Sequence, residues 1–293
     1  MTAPLPPRPS LLWKILLSTA LIITLVLAIT AWFVEEQTVT AMTRDLQGEI
    51  RGGFQSYESL WKARADNLRS ISAVLSTMSD VRAAFQTNDR ATIRDTAKEI
   101  WSKVSRSDAF FVVADPAGGI IASLGGPPMT DPGSKEDLPI VRAAAKRFPA
   151  QAEGFSVKNG QLYEVVITPV YVQTGTGAPG LLNVLVAGFL VDHRVAANLK
   201  QRTGGSDFIF RAPGASLIST MQPGETAAIA SHDSPGPDPR RIQLPGGEFI
   251  ELGNTLPDIE GHPLGDVLMV RSYASLHHDI RSLQQRFIWI WGT

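Results

Sequence analysis

The chain has 293 residues, 27 lysines and arginines against 28 aspartates and glutamates, a formal net charge of -1, and no cysteine. That balance leaves no basic footprint for nucleic acid, and the missing thiols exclude disulfides, thiol catalysis and thiolate metal sites. The length exceeds one typical domain core and suits two lobes beside a membrane segment.

The first element is the apolar run from Leu11 to Val34, LLWKILLSTALIITLVLAITAWFV. Roughly 20 apolar residues suffice to cross a bilayer as helix, so a spanning helix is expected at 11–34. Trp13 and Trp32 sit near its ends, separated by roughly 28 Å of helix, and read as interfacial anchors. A cleaved signal peptide would have an apolar core of roughly 7 to 15 residues and a small-residue cleavage site. Here bulky Trp32, Phe33 and Val34 follow a longer core. Arg8 and Lys14 precede or open the run while Glu35 and Glu36 follow it, which places residues 1–10 in the cytoplasm and the bulk of the chain outside.

Next comes a heptad-like stripe, Ile50, Phe54, Tyr57, Trp61, Leu68, Ile71, Leu75 and Met78, with Arg64 as its one polar intruder. Its steps of three and four predict one long amphipathic helix over 35–84, packed on its own domain or on a twin subunit. Gly48, Gly52 and Gly53 weaken its first turns. A second helix is expected over Ala91 to Val104.

Strands follow. The segment from Asp108 to Leu124 reads as strand, turn, strand around Asp115, Pro116, Gly118 and Gly119. Leu138 to Phe148 reads as helix, stopped by Pro149. Phe155 to Val157, Gln161 to Val172 and Leu181 to Asp192 complete a five-strand antiparallel pattern, with one turn centred on Asn159 and Gly160. The second half repeats the first. Phe111, Val112, Val113, Pro116, Ile120 and Ile121 match Phe208, Ile209, Phe210, Pro213, Leu217 and Ile218 at one offset. Val184, Val186, Phe189, His193 and Leu199 match Leu268, Val270, Tyr273, His277 and Leu283 at another. Self-similarity of this kind marks one unit used twice. The middle of the second unit, Gln222 to Arg241, reads as loop because of Pro223, Pro235, Pro237 and Pro239. The chain closes with RSLQQRFIWIWGT, where Phe287 to Trp291 begin an apolar segment too short to cross a membrane, with Trp289 and Trp291 as interface anchors.

Motifs for chemistry are sparse. GTGAPG at Gly175 to Gly180 has dinucleotide-fingerprint spacing, but it lies between two strands and contains Pro179, so it reads as a hairpin loop. Adjacent His277 and His278 with Asp279 point in different directions on a helix and make a poor metal site. No catalytic residue, metal or cofactor is expected.

With these elements in place, the chain resembles the double Cache sensors, the tandem PAS-like extracytoplasmic domains of bacterial receptors such as sensor kinases and nucleotide cyclases. The resemblance covers residues 35–293. It rests on the anchor, the helix from Leu46 to Phe85, the hairpin FFVVADPAGGIIASL, the segments LYEVVITPVY and VLVAGFLVDHRVAANL, the repeat FIFRAPGASLIST and the closing LMVRSYASLHHDIRSL. It implies an α+β protein with a membrane-distal module at 85–192, a membrane-proximal module at 193–273, an exit helix at 274–286 and the start of a second, truncated spanning helix at 287–293. It also implies a small-molecule ligand in the distal module. Trp101, Tyr163 and Tyr171 are the candidate walls there, and Arg106 and Arg142 the candidate partners of a carboxylate. The Tyr, Arg, Trp and Asp pattern of amino-acid-binding members is absent.

The expected protein is therefore the sensing portion of a bacterial inner-membrane receptor, with its sensor region periplasmic or extracellular and no enzymatic activity in these residues. Its partners are the lipid bilayer, a small ligand and a second copy of itself through the helix stripe. The alternative is a membrane-anchored binding or adhesion protein without output.

Overall fold

The computed structural model describes residues 11–104, 109–125, 137–173, 179–232 and 236–273. Arg106, the loop core at 174–178, the His277 to Asp279 cluster, the exit helix at 274–286 and the segment 287–293 with Trp289 and Trp291 lie outside them. The chain divides into residues 1–49 and 50–293.

The first unit holds the start of α1, a helix running from Leu11 to Thr77 without interruption. Among the described residues no helix is long and apolar enough to cross a membrane. The run at 11–34 is nonetheless helical, and the side chains of Trp13 and Trp32 are outside the described ones. Leu21, Ile22, Ile23, Leu25, Val26 and Ile29 are 56–65% exposed, a run of large apolar residues left uncovered by protein.

The helix does not run to residue 84 as the periodicity predicts. It stops at Thr77, Met78 turns to extended geometry, and α2 restarts at Ser79 and ends at Gln86. The cause is local. The Ser76 hydroxyl donates to Ala73 O at 2.7 Å and Thr77 Oγ1 donates to Val74 O at 2.8 Å, and such back-bonding loosens or bends a helix. The Arg82 Nε then donates to the freed Ser76 O at 3.0 Å. Helix α3, Arg90–Val104, follows as expected, started by Asp89, whose carboxylate accepts from the Thr92 N–H at 2.9 Å.

The first sheet, labelled distal as the second is labelled proximal after the expectation above, contains β1 (Phe110–Ala114), β2 (Ile120–Gly125), β3 (Ala152–Lys158), β4 (Gln161–Gln173) and β5 (Pro179–Val191). Its order is β2-β1-β5-β4-β3, with every pair antiparallel. Turn chemistry sets the register. Asp115 Oδ1 accepts from the Ala117 and Gly119 N–H groups at 2.9 Å each, and Asn159 and Gly160 both take positive φ, at 52° and 73°, as a two-residue hairpin turn demands. Helix α4, Pro139–Ala144, and a 3-10 turn lie between β2 and β3.

Alternation along the strands gives this sheet two covered faces. One carries Phe110, Val112, Val165, Ile167 and Val186 and packs under Leu138, Val141 and Ala144. The other carries Phe111 and Ala187 and meets Leu68, Ile71 and Leu75 of α1 and Trp101 of α3.

After β5 come α5 (His193–Arg202), β6 (Asp207–Arg211), β7 (Ile218–Ser219), α6 (Pro223–Ala230), β8 (Arg240–Leu244), β9 (Gly247–Pro257) and β10 (Pro263–Ser272). The proximal sheet runs β7-β6-β10-β9-β8, the same topology as the first, so the internal repeat is structural. Ile209, Leu268 and Val270 pack under Ile229 of α6, while Phe208 and Phe210 turn to α1. The expected loop at 222–241 is corrected by α6: Pro223 occupies its first turn, where a missing N–H costs nothing, and Ile229 is buried.

Two findings concern how the modules join. The α1 stripe is spent inside the chain: Tyr57 sits 5.5 Å from Phe208, and Trp61 lies 5.8 Å from Phe155, 5.3 Å from Phe189 and 5.7 Å from Phe210. Each such ring pair adds roughly 0.5–1.5 kcal/mol beyond burial. That face is therefore not available to a second copy. Gly53 belongs to the same packing, since a Cβ there would stand 2.4 Å from Met269 Cε. The second junction is the β9–β10 hairpin, whose tip places Ile259, 2% exposed, in the core of the distal module. Asp258 bridges Phe155, Lys146 pairs with Glu260, and a Cβ on Gly154 would lie 2.5 Å from the Asp258 backbone.

Candidate ligand-binding cleft

Among the described residues, the expected site residues Trp101, Arg142, Tyr163 and Tyr171 do not converge. Trp101 stacks on Phe111, with ring centroids 6.1 Å apart. Tyr163 stands on the opposite face of the sheet, edge-on to Phe110 at 5.6 Å, and its hydroxyl donates to Gln161 Oε1 at 2.6 Å. Arg142 is exposed on α4, 3.9 Å from Asp137. Tyr171 is half-buried at the β4–β5 irregularity.

Among the described residues the large opening is elsewhere. A cleft of about 640 Å³ lies between α1, the end of β5 and α5, lined among others by Leu60, Trp61, Arg64, Phe189, Asp192, Arg194, Leu199 and Arg202. That is within the ordinary range of small-ligand sites. Sequence explains each wall. Trp61 and Arg64 are three residues apart on α1 and so share a face. Phe189 lies near the end of β5, and Asp192 caps α5 by accepting from the Val195 N–H at 3.0 Å. Arg194, Asn198 and Arg202 then recur at steps of four along one side of α5.

The polar lining is arginine-rich. Arg64 Cζ sits 3.5 Å from the Phe189 ring centroid, a cation–π stack that holds the guanidinium plane. The Arg202 Nε donates to Asn198 Oδ1 at 2.9 Å, and the Arg194 Nε to Asp192 Oδ2 at 2.9 Å. Asp192 is the single carboxylate of the lining.

Behind this wall sits Glu164 on β4, 5% exposed. Burial pushes its carboxyl up to about 8, reinforced by Glu153 and opposed by the Arg64 guanidinium and the Trp61 indole. Glu164 Oε2 and Trp61 Nε1 are both buried without a hydrogen-bond partner at ordinary geometry. Burial also raises the Tyr57 phenol far above its usual range, with Glu164 and Glu58 adding to the effect. Sequence reasoning passed over Glu164 because a lone acid in LYEVVITPVY looks like an ordinary outward-facing position. The signal for the cleft was the polar intruder, Arg64.

One further cluster, Asp258, Glu260 and His262, brings its ligand-type atoms within 4.8 Å of one another. Asp258 Oδ1 accepts the Glu260 and His262 N–H groups at 2.8 Å each, so it serves as a turn former.

No protein-family model matches the chain, and no curated protein matches it. Solved structures do. The sensory domain of the Campylobacter jejuni chemoreceptor Tlp3 superposes with TM-score 0.53 at 11% identity, covering 83% of this chain and 98% of that one. The fold is that of a double Cache sensor domain. The Tlp3 ligand-binding domain in complex with L-valine gives TM-score 0.50 at 10% identity, covering 83% and 97%. The periplasmic domain of Vibrio cholerae LuxQ gives TM-score 0.50 at 10% identity, covering 77% and 99%. At these identities the likeness is one of architecture, and the double Cache architecture is what the chains share.

Proposed function

We propose that the chain is the extracytoplasmic ligand-sensing portion of a bacterial transmembrane receptor of the sensor-kinase, cyclase or chemoreceptor type. The observation that carries this reading is the shared fold, which extends over 77–83% of the chain and takes in nearly the whole of each sensor domain compared. The exposed apolar residues between Leu21 and Ile29 support a membrane anchor at 11–34, with residues 1–10 cytoplasmic and the two modules periplasmic. Relay of the signal through the membrane helices is part of the same reading. A ligand acts by binding one arrangement of the modules better than another. With the stripe occupied internally, pairing of two copies falls to the outer side of α1, where Val74 is 61% exposed.

The cysteine-free chain makes the topology test direct. Single cysteines replacing Thr2 and Arg142 are expected to react differently with a membrane-impermeant maleimide in intact spheroplasts: Arg142→Cys labels, and Thr2→Cys labels only after lysis. Labelling of both, or of Thr2→Cys alone, would sink the reading.

A further inference from the structure

We infer that Glu164 is a proton-operated latch between α1 and the modules: the neutral carboxyl keeps α1 docked, and its ionisation releases α1 from the distal sheet. The latch stands on the geometry of the junction; its use as a signalling input rests on the sensor reading above. Glu164 lies on β4 directly between Phe155 of β3 and Phe189 of β5. Residues paired in this way share a face of the sheet, and on this face Trp61 of α1 lies 5.8 Å from Phe155 and 5.3 Å from Phe189. Trp61 also meets Phe210 of the proximal sheet at 5.7 Å, so one indole joins the helix to both modules above a buried acid. Glu164 Oε2 and Trp61 Nε1 are both buried without a partner at ordinary geometry. A neutral carboxyl is tolerated in such a place, whereas a carboxylate oxygen without a donor is costly.

The surrounding charges do not reverse this. Tyr57, Glu58 and Arg64 stand on α1 and Glu153 on β3, while β5 and β6 bring the Phe189 and Phe210 rings. Arg64, stacked over Phe189, favours the carboxylate; Glu153, itself paired with Arg69, disfavours it. Burial outweighs both and holds the carboxyl at about 8. Hydration is the remaining way to stabilise the charge, and the route for water is present, because the cleft of about 640 Å³ is bounded by Trp61, Arg64 and Phe189. Letting water through to Glu164 means lifting Trp61, and α1 with it, off Phe155 and Phe189. Between about 4.5 and 8 the docked form holds a proton that a hydrated form gives up. Docking therefore weakens as pH rises, by up to about tenfold per pH unit, and levels off above that window.

Maleimide labelling of a single buried cysteine on α1 reads the docking in the otherwise cysteine-free full chain. Ala65, 7% exposed, is one turn from Trp61, and Ser72, 0% exposed, accepts cysteine with little change of size. Ala65→Cys and Ser72→Cys are each labelled in detergent micelles with and without Glu164→Gln at the same pH, so that thiol ionisation cancels in the ratio of rates. At one or both positions the chain retaining Glu164 should gain at least about tenfold on its Glu164→Gln counterpart between about pH 5 and about pH 8. Ala144→Cys, under α4 on the opposite face of the distal sheet, should show a constant ratio.

Ratios that stay flat at both α1 positions would overturn the latch. So would an equal climb at Ala144→Cys, which would mean that ionisation loosens the whole fold rather than this junction. Both results leave the sensor reading intact, since that reading fails separately, in the labelling pattern of Thr2→Cys and Arg142→Cys.

Discussion

Replacing Glu164 by glutamine probes the junction behind the cleft. The folded carboxyl titrates at about 8, against an ordinary value of 4.5. At about 1.4 kcal/mol for each tenfold change in acidity, ionising it in place costs on the order of 5 kcal/mol. The sign follows from proton uptake. Between the unfolded and folded values the folded chain holds a proton that the unfolded chain has released, so stability falls as pH rises. The loss begins near 4.5 and levels off above about 8. Glu164→Gln keeps the side-chain shape, cannot ionise, and removes that slope. For a folded part of this size, 1 kcal/mol moves the melting temperature by about 2–4 °C. The variant should therefore melt on the order of 10 °C above wild type near pH 9 and close to it near pH 4.5. Thermal melts of both proteins across that range are the assay. Parallel curves, or a variant less stable throughout, would refute the reasoning and mean that Glu164 is ionised and paired with Arg64 in the folded protein.

Truncating the hairpin tip with Ile259→Ala should cost about 2–5 kcal/mol, the range for removing a buried aliphatic side chain. A denaturation midpoint unchanged from wild type would show that the tip does not belong to the distal core. Val74→Cys should give a disulfide-linked dimer in membranes under mild oxidation, whereas Tyr57→Cys, 4% exposed, should not; the reverse pattern would put the stripe back at an interface between copies.

Local chemistry was the legible part of the sequence. Asp115 with Gly118 and Gly119, and Asn159 with Gly160, announce hairpins because their turns need those side chains or that φ, and the apolar alternation around them fixed which residues are strand. The repeat was visible because both sheets bury the same positions. The break at Met78 was hidden, since Val81 and Phe85 keep the spacing across it and the disruption comes from two hydroxyls. Helix α6 was hidden by Pro223, a residue that ends helices and also begins them.

The candidate site was less legible, because a cleft is a relation between elements distant in sequence. Arg64 stood out as an interruption, yet only folding brings it to Phe189 and α5. Trp101 and Tyr163 share a module but not a face, and a list of aromatic residues cannot distinguish the two.

Ile259 bears on where this protein can be cut. A fragment ending at residue 192 has a complete five-strand distal sheet on paper, yet it leaves a vacancy under α4 and an exposed apolar floor where the hairpin tip belongs. The boundary between the modules is thus one of sequence only. Recombining the distal half of this chain with the proximal half of a relative would have to carry the β9–β10 tip along with the distal half, or match its shape residue for residue.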